Sequence, residues 1–225
     1  MKIDAIAHRG DPVGARENTL PAFASAVALG ADWMELDLRR TRDSEIVVLH
    51  DQSLLRLWGL DASVGDLDVG EVTSLGDGEM RIPTLRQALA TVTVPLMIDF
   101  TRREVVDGGL AAVTEAGALE RSLFVTGNVE ALRMLRARSA GARIGLTWTD
   151  GAEPPLGLLA ELGAEYWNPM SVFVTPDGVA AVHGAGLRVS TWTVDDEEEM
   201  ARVAAAGVDA VVSNRVAALV GFVHR

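Results

Sequence analysis

The chain has no cysteine. That excludes a disulfide framework, a thiol nucleophile and a thiolate-held metal, so any metal must be bound by oxygen or by histidine. Lysine is almost missing too: Lys2 is the single one, and arginine carries nearly all the positive charge. There is no basic excess, because 32 acidic residues face 20 basic ones for a net charge of -12. A field of that sign repels phosphate backbones and anionic lipid, which argues against nucleic acid or stable membrane association as a general property. No apolar run approaches the ~18 residues a bilayer span needs. The start of the chain lacks the apolar core of a secretory signal, and a cytoplasmic location is the expectation. Also absent is a glycine-rich G-x-G-x-x-G turn after the first apolar run, where His8-Arg9-Gly10 stands instead.

What is present is a chain of 225 residues, 48% of them hydrophobic, long enough for one sizeable core. The stretch from Glu35 to Asp51 organises the rest. Glu35 and Asp37 are two apart, so on a strand they share a face. A charged run follows, then Ile46-Val47-Val48-Leu49 and His50-Asp51. A four-residue turn around Asp43 and Ser44 makes this a hairpin and sets His50 opposite Asp37. Taken alone, the stretch reads equally as a surface hairpin with solvated charges.

Periodicity predicts strands over 3–7, 33–38, 96–100, 123–126, 144–148, 165–168, 187–194 and 208–212, each followed by a helix. Capping residues and glycines mark the helix ends: Asn18-Thr19 with Pro21 and Gly30 around the first, and Thr84 with Gln87 as a capping box. Residues 51–82 show no period and read as an irregular insertion within a single domain. Eight strand–helix repeats in a chain of this length predict a TIM (β/α)8 barrel with a β-hairpin excursion after its second strand.

In such barrels the working face is the C-terminal end of the strands. The residues predicted there are His8 and Arg9, Glu35 and Asp37, Asp99 with Thr101, and then Trp148, Asn168, Trp192 and Asn214. Glu35, Asp37 and Asp99 form an all-oxygen set suited to Mg²⁺ or Ca²⁺ and less to zinc; Asp99 also fits a plain rim hydrogen bond. His8 and His50 suit an acid/base pair. Arg9 reads as a phosphate fork or as a salt bridge to Glu17 or Asp11, and Trp192 as a substrate wall or a core residue. His183 and His224 fall on predicted helices and read as surface residues.

His8-Arg9-Gly10, Glu17-Asn18-Thr19 with Ala22-Phe23, Gly30-Ala31-Asp32, Glu35-x-Asp37, Thr41-x-Asp43 and His50-Asp51 together resemble the glycerophosphodiester phosphodiesterase family. Pro83-Thr84-Leu85, Trp192-Thr193-Val194 and Gly207-Val208-Asp209 extend the likeness almost end to end. The resemblance implies a TIM barrel that hydrolyses glycerophosphodiesters to glycerol 3-phosphate and an alcohol with a divalent metal. It implies His8 and His50 as the acid/base pair, Arg9 on phosphate, Glu35 and Asp37 on the metal, and Glu17 at the edge of the site. The chain departs from the family where a strand-three Glu-x-Lys reads Asp99-Phe100-Thr101, so a phosphate-facing ammonium becomes a hydroxyl. It departs again at Arg86, at Gly127-Asn128 and at Ser213-Asn214. The lost strand-three lysine motivates one alternative, a barrel that binds a phosphorylated ligand without turnover; another is a lysophospholipase D-like phosphodiesterase, which would share the site and differ in substrate. Oligomeric state is open.

Overall fold

Short apolar strands that bury both faces pair in parallel when helices connect them, and this rule builds the ring of eight strands. The structure is a computed structural model and describes residues 2–100 and 102–224. Its strands are β1 (Asp4–Ala7), β2 (Trp33–Arg40), β3 (Ile46–Val48), β4 (Gly76–Asp77), β5 (Met80–Arg81), β6 (Leu96–Asp99), β7 (Ser122–Thr126), β8 (Arg143–Trp148), β9 (Tyr166–Pro169), β10 (Arg188–Thr191) and β11 (Ala210–Ser213). Among the described residues, β1, β2 and β6 through β11 pair in parallel in the order β1-β11-β10-β9-β8-β7-β6-β2, and a β1–β2 pairing closes the ring. It is a TIM barrel.

The helices are α1 (Leu20–Ala28), α2 (Leu55–Trp58), α3 (Val69–Thr73), α4 (Leu85–Thr91), α5 (Val106–Glu115), α6 (Val129–Arg138), α7 (Leu156–Leu162), α8 (Pro176–Gly184), α9 (Glu197–Ala206) and α10 (Val216–Val223). Their starts follow from the capping side chains. Thr19 Oγ1 accepts from the Ala22 amide, Thr84 and Gln87 form a reciprocal capping box, and Asp196 accepts from the amides of Glu198 and Glu199.

Alternation along the strands divides the core. One set of side chains, including Leu36, Ile98, Phe124, Ile144 and Val211, packs outward against the helices. The other set, Ile6, Trp33, Met97, Leu123, Val125, Tyr166, Ala210 and Val212, fills the lumen. The barrel is therefore a packed core whose open end is the C-terminal face of the strands.

The hairpin differs from its sequence prediction by one residue. Leu38 pairs with Val48 and Arg40 with Ile46, so the loop is 42–44, with Ser44 at φ 71. A three-residue loop ending in a left-handed residue replaces the expected four-residue turn. Asp37 consequently faces Leu49, whose amide donates to its carbonyl, and His50 lies past the ladder. The insertion is also more ordered than its sequence suggests: α2, a turn of 3₁₀ helix at Val64–Asp66, α3 and the β4–β5 ribbon. It closes a small core of Val47, Leu49, Leu54, Val64, Val72 and Ile82. Elements of two to five residues are too short to display a period.

Candidate active site

A cavity of about 150 Å³ opens at the C-terminal face, lined by one or more residues from every barrel strand or its exit. His8 and Arg9 follow β1, Glu35 and Asp37 lie on β2, and Asp99 ends β6. Met97, Val125, Thr147, Asn168, Trp192 and Val212 complete the wall, and His50 reaches it from the hairpin arm. Asp37 and Asp99 are register partners on adjacent parallel strands, which sets their carboxylates side by side.

These acids are desolvated together. Burial, then the charge of Asp37, pushes Glu35 well above the usual carboxylate range. The same two causes raise Asp99 to about 8. No hydrogen-bond donor to Asp99 is found among the described residues. Arg9 is the nearest compensating charge. Its amide donates to Glu35 Oε2 (2.9 Å) and Nη1 to Glu17 Oε1 (3.0 Å). Its Nε faces Asp37 Oδ2 at 3.1 Å without the alignment of a hydrogen bond. Asn18 Nδ2 donates to the same Asp37 oxygen at 2.8 Å.

That geometry demands an unusual backbone. Arg9 and Asn18 both have left-handed φ (58° and 57°), and the Asn18 amide donates to the Arg9 carbonyl. Backbone held in this region by non-glycine residues concentrates at functional sites. Gly10, at φ 88°, sits where a Cβ would come within 2.8 Å of Ala22 on α1. Only glycine permits the helix to approach the loop so closely.

The two imidazoles have different partners. His8 Nδ1 meets Asn214 Oδ1 at 2.8 Å, and its Nε2 lies 4.0 Å from Glu35 Oε2. Burial, then the adjacent Arg9 charge, lowers its pKa, so the ring is neutral near pH 7. His50 Nδ1 meets Asp51 Oδ1 at 2.7 Å, while Arg39 donates Nε (2.7 Å) and Nη2 to the His50 carbonyl. Asp51 is held at about 2, chiefly by the Arg56 guanidinium. Arg56 in turn donates to Glu17 (2.7 Å), which already pairs with Arg9. A chain of hydrogen bonds and ion pairs, His50–Asp51–Arg56–Glu17–Arg9, thus joins the hairpin arm to the β1 loop.

The other predicted residues take up varied places around this arrangement, and Trp148 is the one that departs from its expected place. Glu17 sits behind Arg9 and Arg56 rather than on the cavity wall. Trp148 packs into the outer core, Nε1 donating to the Gly151 carbonyl, because its neighbour Thr147 takes the inward position. Trp192 is half-buried, packs on the lumen cluster and still presents a face to the cavity. Thr101 lies outside the described residues. Arg102 turns away and donates to Gln52 (3.0 Å). His183 and His224 lie far from the site, paired with Asp209 and Asp32.

Residues 8–218 match the Glycerophosphoryl diester phosphodiesterase family. The chain belongs to that family. A glycerophosphodiester phosphodiesterase of Caldanaerobacter subterraneus is 29% identical over 244 residues, covering 100% of this chain and 99% of the relative. A probable glycerophosphodiester phosphodiesterase 2 of Mycobacterium tuberculosis is 30% identical over 236 residues, covering 94% and 87%. An Oleispira antarctica phosphodiesterase solved in complex with sn-glycerol-3-phosphate superposes with a TM-score of 0.90 at 23% identity, covering 100% of this chain and 98% of that one. That likeness supports the barrel fold.

For a glycerophosphodiester phosphodiesterase family member, the supporting side chains were the hidden part of the site. Asp51 is legible as the neighbour of His50. Arg39 alternates in phase with Glu35 and Asp37. Asp195 and Arg56 carry no local signal, since only the fold brings them to Asn214 and Asp51.

Proposed function

We propose that this chain is a divalent-metal-dependent glycerophosphodiester phosphodiesterase that releases glycerol 3-phosphate and an alcohol. The observation that carries the reading is the meeting of His8, His50 and Arg9 with Glu35, Asp37 and Asp99 around one small cavity in a chain of this family. Its volume of about 150 Å³ falls below the ~300–1,000 Å³ of pockets for larger ligands and suits a compact headgroup.

The donor set fits a hard cation. All three acids offer oxygen, and two are pushed upward by mutual charge and burial, a strain that a dication relieves. Among the described residues no three of His, Asp or Glu stand closely enough to hold an ion. Glu35, Asp37 and Asp99 would hold Mg²⁺ or Ca²⁺, and the ion's chemistry would be neutralisation of the phosphate oxygens. Arg9 orients the phosphate through its planar fork. His8, neutral and with Nε2 toward the acids, takes a proton from the attacking oxygen. His50, backed by the Asp51 carboxylate, gives one to the departing alcohol.

The test is release of glycerol 3-phosphate from glycerophosphocholine, glycerophosphoethanolamine and lysophospholipids. EDTA should abolish it and Mg²⁺ or Ca²⁺ should restore it. His8→Ala and His50→Ala should each lower turnover by about 100-fold or more. Full activity in EDTA would remove the metal, and ligand-induced stabilisation without product would favour a binding barrel.

A further inference from the structure

Behind His8 stands a second layer of side chains with an unambiguous hydrogen-bond sense. The Asp195 carboxylate accepts from the Asn214 amide nitrogen Nδ2 (2.7 Å), from the Asn214 backbone N–H (2.8 Å) and from Ser213 Oγ (2.9 Å). Ser213 Oγ accepts in turn from the Arg215 backbone N–H (2.9 Å), which fixes its hydroxyl as a donor to Asp195. A flipped Asn214 would point its carbonyl oxygen at a carboxylate, acceptor against acceptor. Its Nδ2 is therefore committed to Asp195 and its Oδ1 to His8.

An amide oxygen can only accept. The His8 nitrogen that faces it at 2.8 Å, Nδ1, must therefore carry the hydrogen. In a neutral ring that leaves the lone pair on Nε2, the nitrogen turned toward Glu35.

We infer that Asn214, locked by Asp195, is a positioning residue that sets the His8 tautomer, presenting an unprotonated Nε2 to the cavity. The inference rests on the phosphodiesterase reading for the use of that lone pair, but not for its existence. Asn214 directly follows β11 and Asp195 lies in the segment after β10, so the pair links the exits of two neighbouring strands. It places a negative charge one amide away from the imidazole without setting a carboxylate directly against it. The arrangement fixes which ring nitrogen is left bare, as an acceptor of protons requires.

The experiment is a two-bond ¹H–¹⁵N correlation spectrum of the full chain labelled at histidine, with Mg²⁺ present. The chain has four histidines, so His8 can be assigned by single substitutions. The expected result is the Nδ1–H tautomer for His8. Asn214→Leu removes the acceptor. It should move His8 toward the Nε2–H form and lower kcat by about 100-fold with little change in KM. Asn214→Asp alone sets two carboxylates against each other. The double variant Asn214→Asp with Asp195→Asn restores one acceptor and one donor, and should recover both the tautomer and most of kcat. Should Asn214→Leu fail to fold, Asp195→Ala, at an exposed position, removes the lock and should give mixed tautomers. An Nε2–H tautomer in the unmodified protein, or an unchanged tautomer in Asn214→Leu, overturns the inference. Absence of product from every glycerophosphodiester would instead overturn the proposed function, because the tautomer is read without turnover.

Discussion

Asp99 shows how one residue's environment becomes a property that can be titrated. Burial and the neighbouring Asp37 charge hold it at about 8, against an ordinary value of 3.8. Between those values the folded chain keeps a proton that the unfolded chain has lost. The group's contribution to stability is thus fully present below about 3.8 and is lost as pH rises through about 8. Lowered in pKa, His8 acts in the opposite sense below 6.5, so absolute stability mixes the two effects. The clean comparison is with Asp99→Asn in EDTA. The melting temperature of the variant minus that of the unmodified protein should grow between pH 5 and pH 8 in scanning calorimetry. A difference that stays constant with pH would contradict the buried carboxylate pair.

Elements matter here through what they carry into the site. The loop from β1 to α1 holds Arg9, Glu17 and Asn18, and its turn depends on Gly10 against Ala22. Gly10→Ala combines a left-handed φ with a 2.8 Å approach to backbone. It should cost at least about 2 kcal/mol in urea denaturation. The insertion contributes differently. Its helix α2 supplies Arg56, which grips Asp51 and Glu17 from a half-exposed position. Exposed ion pairs contribute less than about 1 kcal/mol, so Arg56→Ala should leave the denaturation midpoint nearly unchanged. Turnover should still fall, because His50 and Arg9 lose their shared brace; equal activity would show that the brace is ornamental to the chemistry. The element boundaries teach a related lesson. Long helices with capping residues, such as α6 and α9, run over the residues that periodicity marks, whereas α2, α3 and the β4–β5 ribbon escape it. Short elements are held by tertiary contacts, here the small core around Leu54 and Ile82.

At the scale of the molecule, the barrel separates stability from chemistry by strand alternation. Leu36 lies between Glu35 and Asp37 on β2, yet it points outward into the helix layer and is fully buried. Leu36→Ala should cost about 2–5 kcal/mol through the cavity it leaves. The midpoint in denaturant should shift while the folded fraction keeps its activity. Loss of activity without loss of stability would mean that the two faces of β2 are coupled.

The sequence by itself determined the barrel, because strand and helix periods and their caps are local properties that eight repeats reinforce. It also determined which strand ends hold His8, Glu35, Asp37 and Asp99, since alternation is a matter of counting. Only the tertiary structure decided the rest. A single extra or missing residue in a hairpin loop shifts the register, so His50 faces the cavity from beyond the ladder rather than opposite Asp37. Asp195 meets Asn214, and Arg56 meets Glu17, across 19 and 39 residues of chain. Side chains so far apart leave no mark on each other's local pattern, and closure of the barrel alone brings them within hydrogen-bond reach.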